Sequence, residues 1–205
     1  SKTEISHLTQ ATIAFAVAIG FMFSGGVFGA LSNTTLFVVY TILGLLTFTP
    51  GFLIHEIAHK IQARKYGCWA EFRASPGGLR FGVILAALIG VVFMAPGAVM
   101  VAGNTTREQF GKIALAGPVS NVVLWCIGLA FAVTFGAPDI SSHSDTFIFY
   151  WMMANGILGA LNMLPFGPLD GKKIRTWSVP VFWIWLIICL SMVWFNFTQL
   201  NSLLG

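Results

Sequence analysis

This sequence has few charged side chains. They make up 9% of the 205 residues, against roughly 25% in soluble proteins. Hydrophobic residues reach 57%, and the mean hydropathy is +0.83. This balance excludes an ordinary soluble domain and predicts a polytopic membrane protein whose surface faces lipid.

Two other patterns are also missing. The three cysteines are far apart and form no CxxC pair, so we expect no disulfide framework. The formal net charge of +4 comes from short Lys/Arg clusters, without a basic stripe interleaved with aromatic residues. We therefore expect no nucleic-acid partner, and we interpret the positive charge as a determinant of membrane orientation.

Six apolar stretches approach or exceed the ~20 residues that cross a bilayer. They predict an all-α polytopic membrane protein with five or six transmembrane helices. The first stretch is too long for the core of a signal peptide, so we expect it to be a retained span. The stretches cover residues 11–31, 36–63, 81–102, 113–135, 147–164 and 179–197.

The positions of the basic residues change the expected number of membrane crossings. These residues cluster at residues 60–80, 107–112 and 172–175, whereas the connections 32–35 and 137–146 have none. If all three clusters face the cytoplasm, the chain must cross the membrane an even number of times between the first and second clusters. Only one apolar stretch lies there, so we expect it to enter and leave on the same side.

The composition of residues 76–102 supports that interpretation. Glycine and proline recur through the segment, and Val99, Met100 and Val101 favour a strand. We predict a re-entrant β-hairpin or a short membrane-embedded sheet around residues 76–102. Its edge at residues 94–101 is a candidate for holding an extended peptide. A kinked spanning helix is the alternative.

One apolar stretch carries a candidate metal site, His55-Glu56-Ile57-Ala58-His59. No charged side chain occurs in residues 37–54 just before it. Residues four apart share one face of a helix, so His55 and His59 are predicted to bind one zinc ion. Glu56 is placed to take a proton from a metal-activated water. A pair of helix-end histidines is the simpler alternative.

Catalytic zinc usually has three protein ligands, so a third must come from elsewhere. Asp170 is the candidate, because it follows an apolar stretch and lies near the same predicted depth as His55. Pro165 and Pro168 should end the helix and place Asp170 on an irregular segment. The alternative is a turn aspartate, since Asp-Gly is a common turn pair.

Together these motifs resemble those of the site-2 protease family of intramembrane zinc metalloproteases. The motif HEIAH in one span and NMLPFGPLDG in a later one match the family's paired signatures in the right order. The resemblance covers residues 36–175, and residues 116–121 resemble a further family feature. It implies one catalytic zinc ion held by His55, His59 and Asp170, with Glu56 as the general base.

The resemblance also implies the reaction and its partners. A transmembrane protein substrate would be cleaved within the lipid bilayer. The positions of the basic clusters, independently of the resemblance, predict an active site toward the cytoplasmic side. We expect residues 1–205 to form a single integral-membrane domain, with no room for a PDZ or CBS domain. Asn162 is a candidate substrate-binding residue, although capping or interhelical hydrogen bonding is an equal alternative. Asn121 is interpreted as bridging helices, and Gly117-Pro118 as marking close packing at a helix start.

Two other functions use the same ligands. A metal transporter or sensor should show further polar ligands along the membrane, but the candidates are confined to one depth. A catalytically inactive scaffold would lack an essential residue, but the expected residues are all present.

Overall fold

The computed structural model describes residues 1–94, 96–134 and 143–198, and it is mostly helical. Asp139, and the side chains of His143 and Asp145 in the predicted outer connection, lie outside the described part. The described elements, in chain order, are α1 (Lys2–Ser24), α2 (Gly26–Ser32), α3 (Thr34–Lys65), β1 (Trp69–Ala74), α4 (Pro76–Ile89), β2 (Gly97–Ala102), α5 (Arg107–Thr134), α6 (His143–Asn162), α7 (Asp170–Trp177) and α8 (Val179–Thr198).

Within the described residues, four helices are long and apolar enough to cross a membrane: α1, α3, α5 and α8. Helix α4 and the Phe147–Asn162 part of α6 are apolar but shorter. Large hydrophobic side chains lie exposed on several of these helices, as an apolar solvent allows. The prediction of a multi-helix membrane protein is supported at this level, and the number of five or six crossings stays a prediction.

The first apolar stretch is not one helix, contrary to expectation. Helix α1 ends at Ser24, and α2 begins at Gly26. Gly25 and Gly26 have φ values of 80° and 79°, in the left-handed region that glycine adopts without strain. Two successive left-handed residues interrupt the helix, so the bounds predicted for the first span are wrong: α1 (Lys2–Ser24) is the helix long and apolar enough to cross a membrane, and α2 is separate.

Residues 76–102 combine a helix and a strand. Ser75 caps the start of α4 by accepting a hydrogen bond from the Gly78 N–H, and Pro76 occupies the first turn. The strand expected at Val99–Val101 is present within β2, which pairs with β1. The short sheet is therefore confirmed, but a β-hairpin confined to 76–102 is wrong, because a 14-residue helix separates its strands. Entry and exit on one side stays a prediction.

The described residues form two compact units, and α3 contributes to both. In the first unit, aromatic rings pack from α1 through α3 to β1. The ring centroids of Phe15 and Phe52 lie 5.9 Å apart, and those of Phe52 and Phe72 lie 5.7 Å apart. The buried Glu4 carboxylate accepts a hydrogen bond from the Phe72 N–H at 3.1 Å, which ties α1 to β1. This unit comprises Ser1–Leu53 and Ala70–Val101.

The second unit contains Ile54–Trp69 and the described residues from Ala102 onward. Its helices α5, α6, α7 and α8 surround a hydrophobic cluster. As predicted, α6 ends ahead of Pro165 and Pro168, and an irregular segment follows. Asp170 is not on that segment but is the first residue of α7, a correction that places it at a helix start. The cluster consists of Ala114, Ala160, Met163, Ile174, Phe182 and Cys189.

Candidate metal centre

His55 and His59 lie one turn apart on α3, as their spacing predicts. Their ring centroids are 4.7 Å apart, and their planes are nearly perpendicular. Both side chains are buried, and so is Asp170 at the start of α7. All three residues belong to the second unit, so the packing of that unit alone brings them together.

The three side chains converge on one point. Asp170 Oδ2 lies 3.2 Å from His55 Nε2 and 2.9 Å from His59 Nε2. One ligand atom from each residue falls within 4.8 Å of the others. Zinc bonds of 2.0–2.1 Å in a tetrahedron put ligand atoms about 3.3 Å apart. Two imidazoles and a carboxylate at these separations therefore fit a zinc ion in number, chemistry and spacing.

In both histidines, the ring nitrogen that does not face Asp170 has its own hydrogen-bond partner. His59 Nδ1 lies 2.8 Å from the Ile113 carbonyl oxygen, which only accepts, so Nδ1 carries the proton and Nε2 the lone pair. His55 Nδ1 lies 2.6 Å from Asn121 Oδ1. Partners of this kind fix the orientation and basicity of metal-binding histidines.

The carboxylate is also held on both sides. Lys173 Nζ donates to Asp170 Oδ1 at 2.9 Å, which leaves Oδ2 toward the histidines. The Asp170 carboxylate thus presents one oxygen to both histidine nitrogens and the other to the Lys173 ammonium, an arrangement suited to binding a cation.

Gly117 on α5 leaves room beside the histidines. A Cβ added there would lie 2.4 Å from His55 Nε2 and 2.5 Å from His59 Nε2, closer than real Cβ contacts. Only glycine fits this close approach. The close packing expected at Gly117-Pro118 is confirmed at Gly117, but the expected helix start is wrong, because both residues lie inside α5.

Glu56 is buried one residue beyond His55. Successive helical residues are rotated by about 100°, so Glu56 lies beside the histidine face of α3. Its predicted role as general base stays a prediction.

Asn162 lies at the end of α6, and its Nδ2 donates to the Leu158 carbonyl of the same helix at 3.0 Å. This contact stays within one helix, so it corresponds to the capping alternative and not to an interhelical hydrogen bond. Substrate binding by Asn162 stays a prediction.

Asn121 bridges helices as interpreted, because it contacts His55 on α3 and Asn155 on α6. Sequence reasoning missed Asn155, Lys173 and the Ile113 carbonyl. Lys173 stands three residues after Asp170, a helical spacing that offered a signal. The other two become neighbours of the site only through packing between helices.

Comparison with known proteins gives the family. The chain is 37% identical over 194 residues to "Putative zinc metalloprotease MJ0611" of Methanocaldococcus jannaschii, covering 94% of this chain and 92% of that protein. It is 30% identical over 156 residues to "Putative zinc metalloprotease YwhC" of Bacillus subtilis, covering 66% of this chain and 68% of that one.

A third relative is "Putative zinc metalloprotease Rip3" of Mycobacterium tuberculosis, 29% identical over 67% of this chain and 32% of its own length. No family model matches the chain, and no solved structure matches it. The relatives' shared description agrees with the buried His-His-Asp cluster, and the first of them is matched over nearly its whole length. This chain therefore belongs to the zinc metalloprotease family of its Methanocaldococcus relative.

Proposed function

We propose that this protein is an intramembrane zinc endopeptidase of the site-2 protease type. It would hydrolyse a peptide bond in or near a transmembrane segment of a membrane-protein substrate. The observation that carries the proposal is the convergence of His55, His59 and Asp170 in a buried cluster, two of them on a helix apolar enough to span a membrane.

The ligands and Glu56 divide the chemistry between them. His55 and His59 supply neutral nitrogens and Asp170 supplies a carboxylate, the donor set of a catalytic site that keeps one position open. These three residues would hold a single zinc ion, whose Lewis acidity would make water nucleophilic near neutral pH and would polarise a carbonyl. Glu56 accepts the proton of the attacking water and returns it to the leaving amine as the C–N bond breaks.

Charge supports the proposed orientation. Arg64 and Lys65 lie in the last turn of α3, and Lys65 is ten residues beyond His55. At ~1.5 Å per residue the site is about 15 Å from that charged end, within one half of a bilayer. The positive-inside rule assigns such an end to the cytoplasm, and with it the side from which water enters.

The arrangement favours a protease over a metal transporter. Among the described residues, one group of side chains could bind a metal ion. Its members, His55, His59 and Asp170, lie together and so at one depth. A transport path needs successive ligands along the membrane. The presence of a buried carboxylate next to the ligands also favours an active enzyme over an inactive scaffold.

The proposal is tested by metal analysis and cleavage of candidate single-span proteins in detergent, using the parent and Glu56→Gln. We expect about one zinc ion per chain in both proteins and cleavage by the parent alone. Glu108→Gln is the matched control, because Glu108 lies exposed at the start of α5 and pairs with Lys112. A parent without zinc, or cleavage by Glu56→Gln, would refute the mechanism.

A further inference from the structure

A row of buried amides connects the metal centre to the backbone of α6. His55 Nδ1 contacts Asn121 Oδ1 at 2.6 Å, and Asn121 Nδ2 donates to Asn155 Oδ1 at 3.0 Å. Asn155 Nδ2 in turn donates to the Trp151 carbonyl oxygen at 2.9 Å. Asn121 and Asn155 are completely buried. Amides in such a setting keep one orientation, because a flipped amide would place like dipoles together.

The direction of every hydrogen bond in the row follows from its last member. A carbonyl oxygen only accepts, so Asn155 must turn its NH2 toward Trp151 and its oxygen toward Asn121. Asn121 must then offer its NH2 to Asn155 and its oxygen to His55. An oxygen facing His55 Nδ1 requires that nitrogen to carry the proton. His55 Nε2 is left with the lone pair that a metal needs.

The two histidines therefore differ in how their tautomers are held. His59 donates directly to the Ile113 carbonyl, a backbone group that has no second orientation. His55 donates to a side-chain amide, which has two. The hydrogen bond from Asn121 to Asn155, on the next helix α6, favours one of these two orientations.

We propose that Asn155 is a positioning residue for zinc binding, which acts through Asn121 to hold His55 in its Nδ1–H tautomer. The inference rests on the zinc function proposed above. It assigns to Asn155 a role in metal affinity without contact with the metal, the substrate or the reacting atoms.

Zinc affinity, measured by chelator competition in detergent, tests this role. Asn155→Leu keeps the branched shape and the number of side-chain heavy atoms but removes the acceptor for Asn121, and we expect zinc binding about tenfold weaker. Asn196→Leu is the matched control, because Asn196 is also a buried asparagine and accepts from Trp125 Nε1 at 3.0 Å, away from the metal ligands. Equal affinities for the two variants would overturn the proposal.

A double-mutant cycle separates this role from packing. In Asn121→Asp, either carboxylate oxygen accepts from His55, so the tautomer no longer depends on Asn155. We therefore expect Asn155→Leu not to weaken zinc binding further in that background. The same tenfold loss in both backgrounds would show that Asn155 only packs, and would overturn the proposal.

A measurement on the parent protein covers the case in which these variants do not fold. In ¹⁵N spectra of the zinc-loaded, histidine-labelled protein, we expect His55 to bind through Nε2 and to carry its proton on Nδ1. Coordination through Nδ1 would overturn the inference. Different results refute the two proposals. A parent protein without zinc refutes the proposed zinc endopeptidase. A parent that binds zinc, with an unchanged zinc affinity in Asn155→Leu, refutes only the role of Asn155.

Discussion

Gly117 and His55 approach each other so closely that a single methyl group at Gly117 would collide with Nε2 of His55, a candidate metal ligand. The distance from that added Cβ to His55 Nε2 would be 2.4 Å. The obstruction would come from the backbone of α5, which has little freedom to move away. Helix packing at Gly117 thus sets the space at the metal centre.

Gly117→Ala should therefore abolish zinc binding while the protein stays folded. The methyl group must either push both imidazoles aside or occupy the space between them and α5. We expect less than 0.1 zinc per chain by metal analysis, with an unchanged far-ultraviolet circular dichroism spectrum. Gly77→Ala is the control, because a Cβ at Gly77 meets no atom within 4 Å. Full zinc occupancy in Gly117→Ala would contradict this reading of the site.

Asp170→Asn should weaken zinc binding by a factor of about 100 or more. The substitution keeps the shape of the side chain but removes the negative charge and the preferred oxygen donor of the ion. Chelator competition measures the change, with Glu108→Gln as the control for loss of an acidic group elsewhere. An affinity within threefold of the parent would remove Asp170 from the ligand set.

Zinc should also stabilise the folded protein by mass action. A ligand that binds only the folded state at 100 times its dissociation constant adds about 2.7 kcal/mol. We expect chelation to lower the midpoint of thermal unfolding in detergent and added zinc to restore it. Asp170→Asn should show little response to either treatment. If the midpoint of thermal unfolding of the parent protein did not change with zinc, the ion would not be bound to the folded state.

Glu4→Ala should destabilise the first unit without affecting the metal. The change leaves the buried Phe72 N–H without its acceptor, at a cost of about 1–3 kcal/mol in the free energy of unfolding. Glu4→Gln keeps an acceptor oxygen and should recover most of that loss. Unfolding in denaturant measures both variants, and zinc content should stay at the parent level. Equal losses from the two substitutions would mean that the hydrogen bond to Phe72 contributes little.

The three predicted ligands illustrate what local patterns reveal. His55 and His59 meet because four residues make about one helical turn, a property of the chain itself. Asp170 was found because few acidic residues lie next to apolar stretches and prolines ended the preceding helix. The structure brings these three together, as expected.

Other features depended on tertiary packing. Strand β1 contains Glu71 and Arg73, so its composition indicated a charged connection, and its strand character comes from pairing with β2. Asn155 looked like any polar residue in an apolar stretch, because its partner Asn121 is 34 residues away. Gly25 and Gly26 did carry a signal for a helix break, but the apolar run around them obscured it.

The contact between His55 and Asp170 joins positions 115 residues apart in the chain. A metal ion bound by both residues would link α3 to α7, much as a disulfide links two cysteines, and would close a very long loop. In the chain-entropy description, a cross-link around a loop of roughly 100 residues is worth about 4.7 kcal/mol. An ion at this position would therefore act as a structural cross-link as well as a catalyst. Removing it would remove the restraint between α3 and α7 together with the proposed activity.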